Sequence, residues 1–309
     1  MVEVPEHADG LEWGALPEEP LRRPVLVAAF EGWNDAADAA SNATSWLTGI
    51  ADHDITALAS INAEAHFDFQ GHRPILEITE GVIRRVRWPE NRFSIVHLED
   101  RDLVVLQGVE PNFRWRSFCS AVISVARATG CEMAVTLGAL LADVPHTREP
   151  RVTGTAADPG LLAELNLVPS HYEGPTGIVG VLQDSCRGAG LAAVSLWVPV
   201  PHYLAAPPNP AATLALLQRI RGLLDLRLDL GTLERTATAW RDQVDLLAID
   251  DDVRRYIGQL ESSYDEQLGS ESSWNVTPQP EDLGTGDLGT GDDLASEVER
   301  YLREQRGGS

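Results

Sequence analysis

Three short stretches carry residue types that could do chemistry. The first is Phe30-Glu31-Gly32-Trp33-Asn34-Asp35, where two carboxylates, an amide and an indole crowd a glycine-containing turn. Strand–turn–helix with a glycine is the outline of a phosphate loop. Glu31 and Asp35 would face an incoming phosphate, however, and no G-x-G-x-x-G is present. A cation, a hydroxyl-rich ligand or a protein donor suits this turn better. The same residues also suit a structural role, with Asn34 or Asp35 capping the next helix, Glu31 paired to an arginine and Trp33 packed. The second stretch is His146-Thr147-Arg148, a loop that pairs a proton carrier with an anion clamp; a lone loop histidine also occurs simply as surface. The third is Gly174-Pro175-Thr176-Gly177, whose backbone N–H groups and Thr176 hydroxyl precede a helix with no acid until Asp184. This is the better anion candidate, and equally a tight turn with a threonine cap.

Other chemistries are not supported. The bases are all arginine: no lysine occurs, which removes a Schiff-base lysine and a P-loop lysine. His66, His72 and His97 lack metal-ligand spacing, and neither H-E-x-x-H nor H-x-H occurs. Ser185 lies in Gln-Asp-Ser-Cys, not in a G-x-S-x-G elbow. These patterns assign no catalytic residue, no metal and no cofactor.

The elements that must position these stretches read as α/β. Val25 to Phe30 is an apolar run too short for a helix, as for a central strand covered on both faces. An Ala-rich helix follows, with Ala36, Ala39, Ala40, Ala43, Trp46 and Leu47 near one another. Ile55 to Asn62 is a strand, and residues 66–105 break into short alternating runs that predict an antiparallel hairpin or meander. The arginines Arg84, Arg85 and Arg87 fall on one of these runs, read as a polar strand face. Leu103 to Leu106, Ala134 to Leu137 and Leu191 to Val200 are further core strands. Between them lie helices near Asn112 to Thr129, Leu161 to Leu165 and Ile178 to Cys186, and a polar loop from Val144 to Thr155. A helix at about Ala211 to Leu224 precedes two helices that read as a hairpin. That pair cannot bury its stripes alone, so it must pack on the main domain or on another subunit.

Four regions follow: an extended acidic arm (1–23), an α/β core (24–232), a helical appendage (233–268) and a Gly/Asp-rich linker with a short terminal helix (269–309). The linker holds a tandem pentapeptide, Asp282 to Gly286 and Asp287 to Gly291, and the terminal helix carries Leu294, Val298, Tyr301 and Leu302 on one stripe.

The 309 residues carry a net charge of −23, with 47 acids against 24 bases. Such a surface repels phosphate backbones and anionic lipid, so neither nucleic acid nor a membrane is an expected partner. Cys119, Cys131 and Cys186 are odd in number and set in apolar runs, as buried small hydrophobes in a reducing cytoplasm would be. The N-terminus is acidic with no apolar run, so no signal peptide is expected, and no stretch approaches the ~20 apolar residues of a membrane span. A cytoplasmic protein is expected.

A series of ordered motifs resembles the bacterial (actinobacterial) branch of the proteasome assembly chaperone 2 family. It comprises Phe30 to Ala36, Asp68-Phe69, Arg73-Pro74, Glu110-Pro111, Phe113-Arg114-Trp115, Gly138 to Arg148 and Tyr172 to Ile178. Together they cover about residues 24–260. The resemblance implies a three-layer α/β/α fold with a mixed sheet, like purine nucleoside phosphorylases and related hydrolases, with the C-terminal helices as an appendage. It also implies a homotrimer, and it implies no catalytic residue. Eukaryotic relatives help assemble proteasome rings, and such chaperones can dock by a C-terminal hydrophobic–Tyr–any tail; this chain ends Gly307-Gly308-Ser309 instead.

The resulting expectation is a non-catalytic oligomeric assembly protein that binds itself and, through its C-terminal helices, another protein. Its alternative is a small-molecule hydrolase or phosphorylase-like enzyme. The enzyme reading requires Glu31, Asp35, His146, Arg148 and Thr176 to converge on one pocket.

Overall fold

The computed structural model describes residues 10–269, apart from 15, 50–54, 80–81, 157–158, 166, 169–171 and 248–250. The first nine residues of the arm, the tandem pentapeptide and the short terminal helix lie outside the described residues. In chain order the first half gives β1 (Leu11–Trp13), β2 (Val25–Glu31), α1 (Ala39–Thr48), β3 (Ile55–Ile61), α2 (Ala63–His66), β4 (Ile75–Thr79), β5 (Val82–Arg87), β6 (Asn91–His97) and β7 (Asp102–Val109). The second half gives α3 (Trp115–Ala128), β8 (Met133–Ala142), β9 (Thr153–Ala156), α4 (Pro159–Glu164), α5 (Ile178–Gly188), β10 (Ala192–Pro201), α6 (Pro210–Leu224), α7 (Gly231–Leu247) and α8 (Asp251–Gly269).

Eight strands form one sheet in the order β1-β3-β6-β7-β2-β8-β10-β9. Its middle is parallel, through the β7/β2, β2/β8 and β8/β10 pairs, and its flanks are antiparallel. β2 shows why its sequence is apolar throughout. Val25, Val27 and Ala29 enter one core, while Leu26, Ala28 and Phe30 enter the other, as a period of two requires. On the first face α1 and α6 supply Ala40, Ala43, Leu47, Leu216, Leu217 and Ile220. On the second, α3 and α5 supply Phe118, Val122, Val125, Val179 and Leu182. The three-layer α/β/α arrangement with a mixed sheet is therefore the observed one.

The expected antiparallel segment is β4 and β5, paired as a separate two-stranded hairpin, with β6 and β7 joined to the main sheet. Two strands escape sequence reading. Leu11–Trp13 pairs with β3, and Thr153–Ala156 pairs with β10 inside what reads as a polar loop. Both are too short to show a period in sequence.

α7 and α8 pack on the core. Val244, Val253, Ile257 and Leu260 meet Tyr203 and Leu204, and Tyr264 meets Ala142 and Val144. The three cysteines are buried and free, and burial pushes the thiols of Cys119 and Cys131 up to about 11 and that of Cys186 to about 12.

Candidate functional site

The carboxyl ends of β2, β7 and β8 are tied by backbone hydrogen bonds that run past the strands. Glu110 N donates to the Glu31 carbonyl at 2.9 Å, and Ala139 N donates to the Asn34 carbonyl at 2.8 Å. These bonds set two side chains face to face at the start of α5. Glu110 Oε1 accepts from Asn34 Nδ2 at 3.0 Å and from Ile178 N at 2.7 Å. Gly177 is what lets them meet: a Cβ there would lie 2.0 Å from Asn34 Nδ2 and 2.5 Å from Glu110 Oε1. Thr176 folds back on the helix, its Oγ1 2.2 Å from where a Cβ on Gly180 would sit. The positive end of α5, the expected anion site, is thus already held by an internal carboxylate. Asn34 Oδ1 is buried without a partner.

Asp35 caps α1 across an interval. A 3-10 turn of Ala36–Asp38 intervenes, with Ala37 and Asp38 at φ 52° and 55°, so the helix starts later than the sequence predicts. Asp35 Oδ1 accepts from Ala40 N at 2.7 Å and Ser41 N at 3.2 Å. Burial raises its pKa to about 6; those hydrogen bonds oppose the rise and the like charge of Asp38 adds to it.

Glu31 belongs to a different place. It lies at the mouth of an open cleft of about 390 Å³ between the β4–β5 hairpin and the end of β7, with Ser41, Thr44, His72, Arg73, Arg87, Trp88 and Gln107 around it. Partial withdrawal from water, then Asp38, push its pKa up, against the opposing charges of Arg87 and His72. The floor of this cleft needs Gly108, where a Cβ would fall 2.2 Å from the Glu90 carbonyl oxygen. Trp33 is 48% exposed on the turn above.

His146 and Arg148 sit in the seat of the helical pair. His146 Nδ1 lies 2.8 Å from the Tyr203 hydroxyl, which also accepts from His146 N at 2.9 Å. Nε2 lies 3.0 Å from Asp245 Oδ1 on α7. The chain of bonds is satisfied with Tyr203 donating to Nδ1 and Nε2–H donating to the carboxylate. Burial lowers the His146 pKa against the raising effect of Asp245, and burial raises that of Tyr203. Arg148 forks onto Asp265 through Nε and Nη2 at 3.0 and 2.9 Å and reaches Glu261 at 2.9 Å, both on α8.

The sequence candidates therefore divide into groups. Asn34 and Gly177 meet at Glu110, with Asp35 and Thr176 beside them in chain and Glu31 opening toward the hairpin; His146 and Arg148 hold α7 and α8. Glu110 is the residue sequence reasoning does not single out as a ligand or hub. Its signal is present, an acid at a strand end followed by Pro111 ahead of a helix. Among the described residues no group of three metal-binding side chains occurs, and no helix is long and apolar enough to cross a membrane.

The PAC2 family pattern matches residues 29–248. The fold is similar to that of a PAC2 family protein from Streptomyces avermitilis, 49% identical, at a TM-score of 0.70 over 75% of this chain and 99% of that one. A proteasome-assembly chaperone homologue from Mycobacterium tuberculosis is 43% identical, with the same score and coverage. A Corynebacterium glutamicum protein of unknown function is 28% identical at a TM-score of 0.77, over 85% of this chain and 100% of that one. No curated protein matches the chain in sequence.

Proposed function

The chain belongs to the PAC2 family, and from that premise we propose that it is a non-catalytic assembly protein that acts by binding other protein chains. The observation that carries this reading is where its apolar surface lies. Of the eleven large hydrophobic side chains exposed among the described residues, eight cluster at the carboxyl end of the sheet. Ile75, Leu76, Ile78, Val86 and Trp88 are on or beside the β4–β5 hairpin, and Trp33, Phe113 and Tyr172 are on the neighbouring turns. Exposed large hydrophobics concentrated in one region, with Leu76 paired across the hairpin to Val86, suit a protein interface, and an isolated two-stranded hairpin is marginal in water until something covers it. Two strand-end carboxylates, by contrast, are taken up internally: Glu110 is held by Asn34 and Ile178, and Asp35 by Ala40 and Ser41.

The finer reading is a cytoplasmic homotrimer that uses the hairpin surface for self-association or client capture, with proteasome subunits as the client class that the Mycobacterium relative points to. Free buried thiols suit a reducing compartment. The test mixes the purified chain with proteasome α- and β-type subunits from a related actinobacterium and follows ring assembly on native gels. Wild type should speed assembly, and an Ile78→Asp/Trp88→Ala variant with wild-type circular dichroism should not. An unchanged rate with wild type overturns the client. A single-chain mass in light scattering at about 10 μM, a concentration at which specific complexes persist, overturns the trimer.

A further inference from the structure

A second cavity lies where α6 meets α7. It has a volume of about 310 Å³, within reach of the ~300 Å³ at which small-molecule sites begin. Its walls are aliphatic: Val152, Val168, Ala211, Leu214 and Ala215. Two of its four polar side chains are cationic. Arg219 from α6 and Arg241 from α7 both line it, with Gln218 between and Glu149 at the rim. Arg241 is three-quarters buried, and its Nε–H finds no acceptor among the described residues. The one carboxylate near it, Glu149, is 82% exposed and lies 3.9 Å from Nη1, a long contact for an ion pair. Arg219 Nη2 donates to the Leu165 carbonyl at 2.8 Å, and burial pulls its pKa down. Two guanidinium groups facing one half-enclosed aliphatic space form a site for an anion with an apolar body.

We propose that the cavity between α6 and α7 binds a small aliphatic carboxylate, its carboxyl group shared by Arg219 and Arg241 and its hydrocarbon chain lying among Val152, Val168 and Leu214. The carboxylate supplies acceptors in the planar geometry a guanidinium fork prefers. The hydrocarbon covers wall that is otherwise wetted. Because one arginine belongs to the core helix and the other to the appended helical pair, an occupant clasps the two together. The ligand thereby tightens the seat of α7.

The probe is 4-methylpentanoate, with inorganic phosphate and neutral 4-methylpentanamide as controls, titrated into the full chain by calorimetry and by thermal unfolding. Wild type should bind the carboxylate and melt higher with it, and should bind the amide at least about tenfold more weakly. Arg241→Met keeps the aliphatic stem and should lose the binding at unchanged circular dichroism. Ala215→Phe fills the cavity and should abolish binding whether or not the melting temperature moves; Leu214→Met, which preserves volume, should retain it. No heat and no shift with wild type, or binding that survives both Arg241→Met and Ala215→Phe, overturns the proposal. Phosphate binding as tight as the carboxylate overturns the role of the aliphatic walls.

Discussion

Replacing Glu110 by alanine tests the knot at the strand ends most directly. The substitution removes the acceptor of two donors, Asn34 Nδ2 at 3.0 Å and Ile178 N at 2.7 Å. A hydrogen bond to a charged acceptor contributes about 1.5–3 kcal/mol net, and a carboxylate at a helix start about 0.5 kcal/mol more. Glu110 is half-buried, so the lower end applies, and Glu110→Ala should cost about 3.5 kcal/mol. Asn34→Ala breaks one of the same bonds but also removes Asn34 Oδ1, a buried acceptor with no partner. Stranding such a group costs about 1–3 kcal/mol, so its removal offsets much of the loss, and Asn34→Ala should cost under about 1 kcal/mol. Since both changes break one shared bond, the double variant should fall short of the sum by about 1–2 kcal/mol. Urea unfolding at neutral pH, followed by circular dichroism, gives all three values. If Asn34→Ala is as damaging as Glu110→Ala, or if the two add within about 0.5 kcal/mol, Glu110 is not the hub described.

Further outcomes follow from the same contacts. Asp35 has a folded pKa of about 6 against an ordinary 3.8, so its contribution is full below 3.8 and is lost as pH rises through about 6. The urea midpoint should fall across that window by an amount equivalent to about 3 kcal/mol, and Asp35→Asn, which keeps an acceptor for Ala40 and Ser41, should flatten the fall; an identical profile in the variant would show that other groups cause it. Gly108→Ala drives a Cβ to 2.2 Å from the Glu90 carbonyl oxygen and 2.7 Å from Asn91 Cα, backbone that cannot yield. A cost above about 3 kcal/mol, seen as loss of soluble protein, is expected. Tyr203→Phe strands His146 N and Nδ1, and hydrogen exchange should accelerate in α7 and α8 while β2 and β8 stay protected. Uniform acceleration across the sheet would mean that Tyr203 supports the whole core.

The layers of this fold were legible because its central strands are buried on both sides and advertise it. Val25–Phe30 and Leu103–Leu106 are unbroken apolar runs, and both faces are covered by helices whose stripes are equally plain. The edges were not legible, since β1 and β9 are three and four residues long and contribute backbone pairing more than side-chain pattern. The candidate site shows the same division. Asn34 and Gly177 stand out locally, yet what they do is decided by Glu110, 76 residues from the first and 68 from Ile178. His146 and Arg148 look like a proton carrier and an anion clamp until Asp245 and Asp265, 99 and 117 residues further on, claim them. A turn rich in polar groups reads as reactive when its partners are invisible, because sequence shows the donors and acceptors but not which of them satisfy one another. Once Glu110, Asp35 and the loop histidine are matched internally, what the hairpin's Leu76, Ile78, Val86 and Trp88 leave open is hydrophobic contact. That is the physical ground for expecting this molecule to act on other chains by recognition.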